Sequence, residues 1–158
     1  MQKCVVSNNE YSTIALGRAF AENLSCGDVI VLSGDLGAGK TKFVSGVLSF
    51  FGKDNEASSP TFTIINEHQL SNDLKLFHFD VYRFDFADEF TAIGGEEFFD
   101  KGICMIEWGE KIESLLPKNY LKIEFLKDTD DENLRRIIFT PHGKRYEELI
   151  ENLPDERV

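Results

Sequence analysis

Two apolar runs of different period frame the front of this chain. Asp28–Ser33 reads Asp-Val-Ile-Val-Leu-Ser, a short unbroken run suited to a buried strand. Phe43, Val44, Val47, Leu48 and Phe51 instead recur at helical spacing, and Gly52 supplies a stop. Ahead of them, Lys3–Ser7 predicts a first strand. Ser7-x-x-Glu10 has the form of a capping box for a helix whose apolar face runs Leu16, Phe20, Leu24 beside Gly17 and Ala21. Phe62–Leu70 and Leu74–Arg83 are strand-like and flank Ser71-Asn72-Asp73, the pattern of an antiparallel hairpin. The acidic, aromatic stretch Phe84–Asp100 is broken by Gly94-Gly95 into two short helices, and Ile103–Ile106 is a second buried strand. Tyr120–Leu126 and Leu134–Thr140 predict another hairpin around the polar Asp128–Asn133 turn, and Tyr146, Leu149, Ile150 and Leu153 mark a closing amphipathic helix. The order predicts an α/β fold: a mixed sheet flanked by helices, as one domain over residues 1–158.

Composition narrows the function classes. A chain of 158 residues builds one sizeable core, and no apolar run approaches the roughly 20 residues of a membrane span. The N-terminus lacks a long apolar segment and a cleavage site, so a cytoplasmic location without membrane contact is expected. Cys4, Cys26 and Cys104 are scattered, without zinc spacing, and read as reduced thiols. The net charge of −11 argues against a diffuse phosphate footprint, so any RNA would be reached through a partner.

The chemistry enters with Gly34–Thr41, Gly-Asp-Leu-Gly-Ala-Gly-Lys-Thr, which fits G-x-x-x-x-G-K-[ST] at every fixed position. Glycines let successive backbone N–H groups converge on a phosphate, and the following helix adds its positive end. Lys40 is expected to reach the β/γ-phosphates and the Thr41 hydroxyl to hold Mg²⁺. With a strand before and a helix after, the chain is expected to be a single-domain P-loop NTPase. The guanine-selective Asn-Lys-x-Asp motif is absent, which favours ATP.

Such a site needs an acid at the end of an apolar strand to manage Mg²⁺. Glu107, after Ile-Cys-Met-Ile, and Asp80, in Leu-Phe-His-Phe-Asp-Val-Tyr-Arg, compete for the role, and position favours Glu107. His78 reads as a packed or hydrogen-bonded sheet residue rather than a base. Arg83 is either a stabiliser of phosphate charge or a salt-bridge partner of Asp85 or the acidic segment that follows. Ser59-Pro60-Thr61 is either a turn or a γ-phosphate-sensing loop with the Thr61 hydroxyl as ligand. Trp108, the sole tryptophan, is a packing group or a partner or gating contact.

Taken together, Gly34–Thr41, Ser59-Pro60-Thr61-Phe62-Thr63, His78-Phe79-Asp80-Val81-Tyr82-Arg83, Ile93-Gly94 and Ile106-Glu107-Trp108 resemble the bacterial TsaE family, in the same order and over nearly the whole chain. That family comprises small P-loop ATPases needed for threonylcarbamoyladenosine modification of tRNA. The resemblance implies that Thr41 and Glu107 coordinate Mg²⁺ and that Leu36, Gly37, Ala38, Gly39, Lys40 and Thr41 wrap the phosphates. It also implies that Asp80 is required for activity near the γ-phosphate. Glu10 corresponds to an N-terminal contact near the nucleotide, and Arg135 or Arg136 to a neighbour of it. The implied partners are the TsaD and TsaB proteins, with tRNA met indirectly through their complex. ATP hydrolysis in that family supports multiple turnovers and is separate from threonylcarbamoyl transfer. Lys42 departs from a commonly found second threonine. The competing readings are a small-molecule P-loop kinase and a nucleotide-dependent interaction module without meaningful hydrolysis. The kinase is disfavoured because Phe84–Leu134 contains no arginine for a lid over the phosphates.

Overall fold

A computed structural model describes residues 1–35, 37–54 and 64–156. Seven strands form one mixed sheet: β1 (Lys3–Ser7), β2 (Val29–Gly34), β3 (Ile65–Ser71), β4 (Leu74–Asp80), β5 (Ile103–Glu107), β6 (Tyr120–Lys127) and β7 (Arg135–His142), in spatial order β1-β7-β6-β2-β5-β4-β3. The central block β6-β2-β5-β4 is parallel. The two expected hairpins close its flanks, with β3 antiparallel to β4 and β7 antiparallel to β6, and β1 adds antiparallel to β7. Helices α1 (Glu10–Ala21), α2 (Lys40–Phe50), α3 (Asp88–Ala92) and α4 (Lys144–Leu149) complete the fold.

Alternation along the strands sorts the core into two layers. Ile30 and Leu32 of β2, Leu76 of β4 and Ile103 and Met105 of β5 pack with α1, α2 and α4. Val29, Phe77, Phe79, Cys104 and Ile106 point to the opposite face, where Phe84, Phe90 and Ile112 cover them. Strand β5 is buried on both faces, which is why it reads as an unbroken apolar run. Phe84 and Phe90 pack inward and Phe98 and Phe99 pack partly, whereas Phe86 is 72% exposed.

Several boundaries differ from the sequence pattern. The cap of α1 is Asn9, whose side chain accepts from the Ser12 N–H. Ser7 is instead a buried strand residue whose hydroxyl meets Thr13 Oγ1 at 2.7 Å. Strand β4 stops at Asp80 rather than Arg83, because the Asp80 carboxylate accepts from the Tyr82 N–H and turns the chain. Helix α1 ends at Ala21, α4 ends at Leu149, and Leu24, Ile150 and Leu153 reach the core from the turns beyond. A 3-10 segment over Gly109–Leu115, for which no period was visible, follows β5. Phe62 and Thr63, at the head of the expected third strand, lie outside the described residues.

Helices α1 and α2 cross through glycines. A Cβ on Gly46 would stand 2.0 Å from the Ile14 carbonyl oxygen, and one on Gly17 would stand 2.2 Å from that of Phe43. These contacts are with backbone, so they cannot be relieved by a rotamer change. Gly46→Ala is expected to cost about 1–3 kcal/mol by forcing the helices apart, read as a lower urea midpoint with unchanged slope. An unchanged midpoint would show that the crossing is not tight.

Candidate functional site

The carboxyl ends of β2, β4 and β5, the start of α1 and the β6–β7 turn enclose one cavity of about 790 Å³, within the range of small-molecule and cofactor sites. Gly37, Gly39, Lys40 and Thr41 line it from the glycine loop, Asp80 and Glu107 from the strand ends, and Glu10 and Arg135 from either flank. Ala38 is buried in the same turn, its N–H bonded to the Asp35 carbonyl, and does not line the cavity. Leu36 and Thr61 lie outside the described residues, as does all of Ser59–Thr63. Gly39 caps α2 with φ 108°, a left-handed conformation that a side chain would strain.

Lys40 is only 4% exposed. Its ammonium donates to the Gly34 carbonyl at 2.7 Å and lies 4.1 Å from the centre of the Trp108 ring. Burial pushes its pKa down, while Glu107, Asp80, Glu110 and Asp35 pull the other way. No ion pair satisfies it among the described residues. A buried cation that rests on a carbonyl and a ring, with no carboxylate partner among the described residues, is suited to receive an anion.

Asp80 and Glu107 are register partners at the ends of parallel neighbours β4 and β5. Burial raises the Asp80 pKa first and the Glu107 charge adds to it; the Tyr82 N–H and Lys40 oppose them. Glu107 is 3% exposed, and its Oε2 lies 2.7 Å from Nε2 of the fully buried His78. His78 is thus the hydrogen-bonded sheet residue its sequence context suggested.

The flanks are more exposed. Glu10 meets Lys42 at 3.6 Å with both side chains about half exposed, a pair of small energetic weight. Arg135 donates to the Gly37 carbonyl at 3.3 Å, while Arg136, on the opposite side of β7, pairs with Asp128 at 2.8 Å. Alternation therefore puts Arg135, not Arg136, at the cavity. Arg83 also lines the cavity and has no ion-pair partner among the described residues, Asp85 included.

Sequence reasoning missed Asn9, Thr13 and Asn133, which also line the cavity. Only the cap of α1 offered a signal, since a helix that begins at the cavity brings its cap there. Trp108 has φ 63°, rare for a bulky residue, and its ring lies 4.9 Å from that of Tyr82. An anion that draws Lys40 away would change the surroundings of this indole. Titration with ATP and Mg²⁺ is therefore expected to alter the emission of the sole tryptophan, and a flat fluorescence titration alongside heat of binding would refute that coupling.

The donors suit a hard cation: a hydroxyl at Thr41 and carboxylates at Asp80 and Glu107. Among the described residues no group of three or more His, Cys, Asp or Glu side chains could hold a metal by itself. Magnesium accepts such sparse sites because it keeps waters and takes ligands from phosphates. Among the described residues no helix is long and apolar enough to cross a membrane.

Comparison with known proteins gives a consistent result. The family model for threonylcarbamoyl adenosine biosynthesis protein TsaE matches residues 7–138. The tRNA threonylcarbamoyladenosine biosynthesis protein TsaE of Bacillus subtilis is 44% identical, covering 92% of this chain and 89% of its own length. The proteins of that name from Rickettsia conorii and Haemophilus influenzae are 33% and 32% identical, over 94% and 91% of this chain and 85% and 94% of their own. A crystal structure of Bacillus subtilis YdiB superposes with a TM-score of 0.77 at 38% identity, covering 97% of this chain and 94% of that one.

Proposed function

This chain belongs to the TsaE family of threonylcarbamoyladenosine biosynthesis, and on that premise we propose that it binds and hydrolyses ATP with Mg²⁺ as a subunit working with TsaD and TsaB. One observation carries the reading: a buried Lys40, without an ion-pair partner among the described residues, and two adjacent carboxylates, Asp80 and Glu107, meet in a cavity at the head of the glycine loop.

Each side chain then has a role. The loop amides and the start of α2 receive the phosphates, and Lys40 moves from the Gly34 carbonyl to a phosphate oxygen. Thr41 and Glu107 would hold Mg²⁺, which, when bound, neutralises charge on the β- and γ-phosphates. Asp80, half-buried and held by the Tyr82 N–H, is placed to orient the attacking water. Arg135 steadies the loop through Gly37, and Arg83 is a cation available to developing phosphate charge. Glu10 sits at the rim, beside the nucleotide.

The acidic surface suits protein partners better than bare tRNA. Phe86, 72% exposed within the acidic 84–100 stretch, offers an apolar docking contact. ATP is expected to strengthen association with the TsaD–TsaB pair, and the assembled complex to release phosphate faster than the subunit alone. Phosphate release measured with and without both partners, and pull-down with and without ATP, test this directly. Tight, salt-sensitive tRNA binding by the isolated chain, with no ATP-linked affinity for the partners, would overturn it. Transfer of phosphate to a small acceptor would favour a kinase instead, and ATP binding without turnover in any mixture would favour an interaction module.

A further inference from the structure

We infer that His78 is a positioning residue that takes one oxygen of Glu107 and leaves the other to the cation; this rests on the reading of Glu107 as the acid that holds Mg²⁺.

Strand pairing brings the two side chains together. On β4, Leu76, His78 and Asp80 share one face; on β5, Ile103, Met105 and Glu107 share it. His78 is opposite Met105, so Glu107 is its diagonal neighbour, a separation long side chains can bridge. The bridge is 2.7 Å long, and the side chains are 0% and 4% exposed. Among the described residues Glu107 makes no other side-chain hydrogen bond. Its Oε2 is committed to the sheet interior and its Oε1 remains for the cavity that it lines.

The other imidazole nitrogen constrains the arrangement further. Nδ1 is buried and has no hydrogen-bond partner among the described residues. A proton on Nδ1 would be a buried donor without an acceptor, whereas a proton on Nε2 bonds a carboxylate. The Nε2–H tautomer is therefore selected, and it donates to Oε2. Fixing the ring in this way orders the Glu107 carboxylate before any cation arrives, as outer partners do for metal ligands generally. Asp80, on the same face and at the same strand end, is held separately by the Tyr82 N–H. The two acids are thus oriented by different groups.

The test is a Mg²⁺ titration of ATP binding by calorimetry on the full chain, with His78→Gln and His78→Leu. Leucine removes the donor, and is expected to raise the Mg²⁺ midpoint about ten-fold or more while leaving ATP affinity in EDTA as in wild type. Glutamine places an amide N–H near the Nε2 position and should return the midpoint close to the wild-type value. A purely structural role would weaken binding with and without metal alike. A wild-type midpoint in His78→Leu, or a folded His78→Gln that fails to rescue, would overturn the inference. Nitrogen-15 spectra of the wild-type histidines, only three in the chain, decide the matter even if a variant does not fold. A pyrrole-type Nε2 and a pyridine-type Nδ1 are expected at His78, and the opposite tautomer refutes the bridge. If wild type binds ATP with no Mg²⁺ dependence, it is the reading of Glu107 that fails, and the spectra still report the His78–Glu107 contact.

Discussion

Lys40→Ala is expected to weaken ATP binding by roughly ten- to hundred-fold, the loss of a charge-assisted contact worth about 1.5–3 kcal/mol. The buried ammonium has no carboxylate partner among the described residues; it rests on the Gly34 carbonyl and the Trp108 ring. Both are weaker partners than a phosphate, so the side chain gains by moving. Alanine removes that gain without filling the cavity. Burial already disfavours the Lys40 charge, so the nucleotide-free variant should not lose stability in proportion. Calorimetry reads the affinity, and thermal melts with and without ATP read the linkage: the upward shift that ATP gives wild type should largely vanish. Unchanged affinity in the variant would sink the assignment of the loop.

The second large effect separates the two acids. Glu107→Gln keeps an oxygen for the His78 N–H but deletes the charge, and is expected to abolish the gain in nucleotide affinity on adding Mg²⁺. Asp80→Asn should retain most of the binding while hydrolysis in the assembled complex falls by about a hundred-fold or more, the usual scale for a group that manages a proton in the transition state. ADP–Mg²⁺ affinity that falls only in the Asp80 variant would show the roles to be reversed. Stability supplies a further readout. Burial and Glu107 push the Asp80 pKa up, so the folded state holds that proton more readily than the unfolded state. The ionised group therefore costs stability above its folded pKa; the cost fades as pH falls through that value and is gone below the unfolded pKa. In EDTA, Asp80→Asn should melt higher than wild type at pH 7–8, with the gap closing towards acid pH. An equal or lower melting temperature at neutral pH would mean the acid is not held at a cost to the fold.

Much of this molecule was legible along the chain because its period is local. Asp28–Ser33 and Ile103–Ile106 read as buried strands since both faces of the central sheet are covered. The glycine loop read as a phosphate cradle because its glycines permit the positive φ that Gly37 and Gly39 adopt, a local property of residue type. Boundaries were less legible. Asn9 rather than Ser7 caps α1, a choice made when Ser7 pairs within β1 against Arg135 of β7 and its hydroxyl is taken by the Asn9 carbonyl and Thr13. Strand pairing over long sequence separations was not legible at all. Nothing in the spacing of His78 and Glu107 tells that β4 and β5 lie side by side and in parallel, or that their register sets Asp80 opposite Glu107. Alternation on β7 sends Arg135 to the cavity and Arg136 away, but only once the sheet has given each face a neighbour. The residue types and their local periods thus determined the glycine loop, the core strands and the candidate acids. The tertiary structure decided which of those groups meet, because side chains far apart in sequence are brought within hydrogen-bonding reach only by the pairing of whole strands.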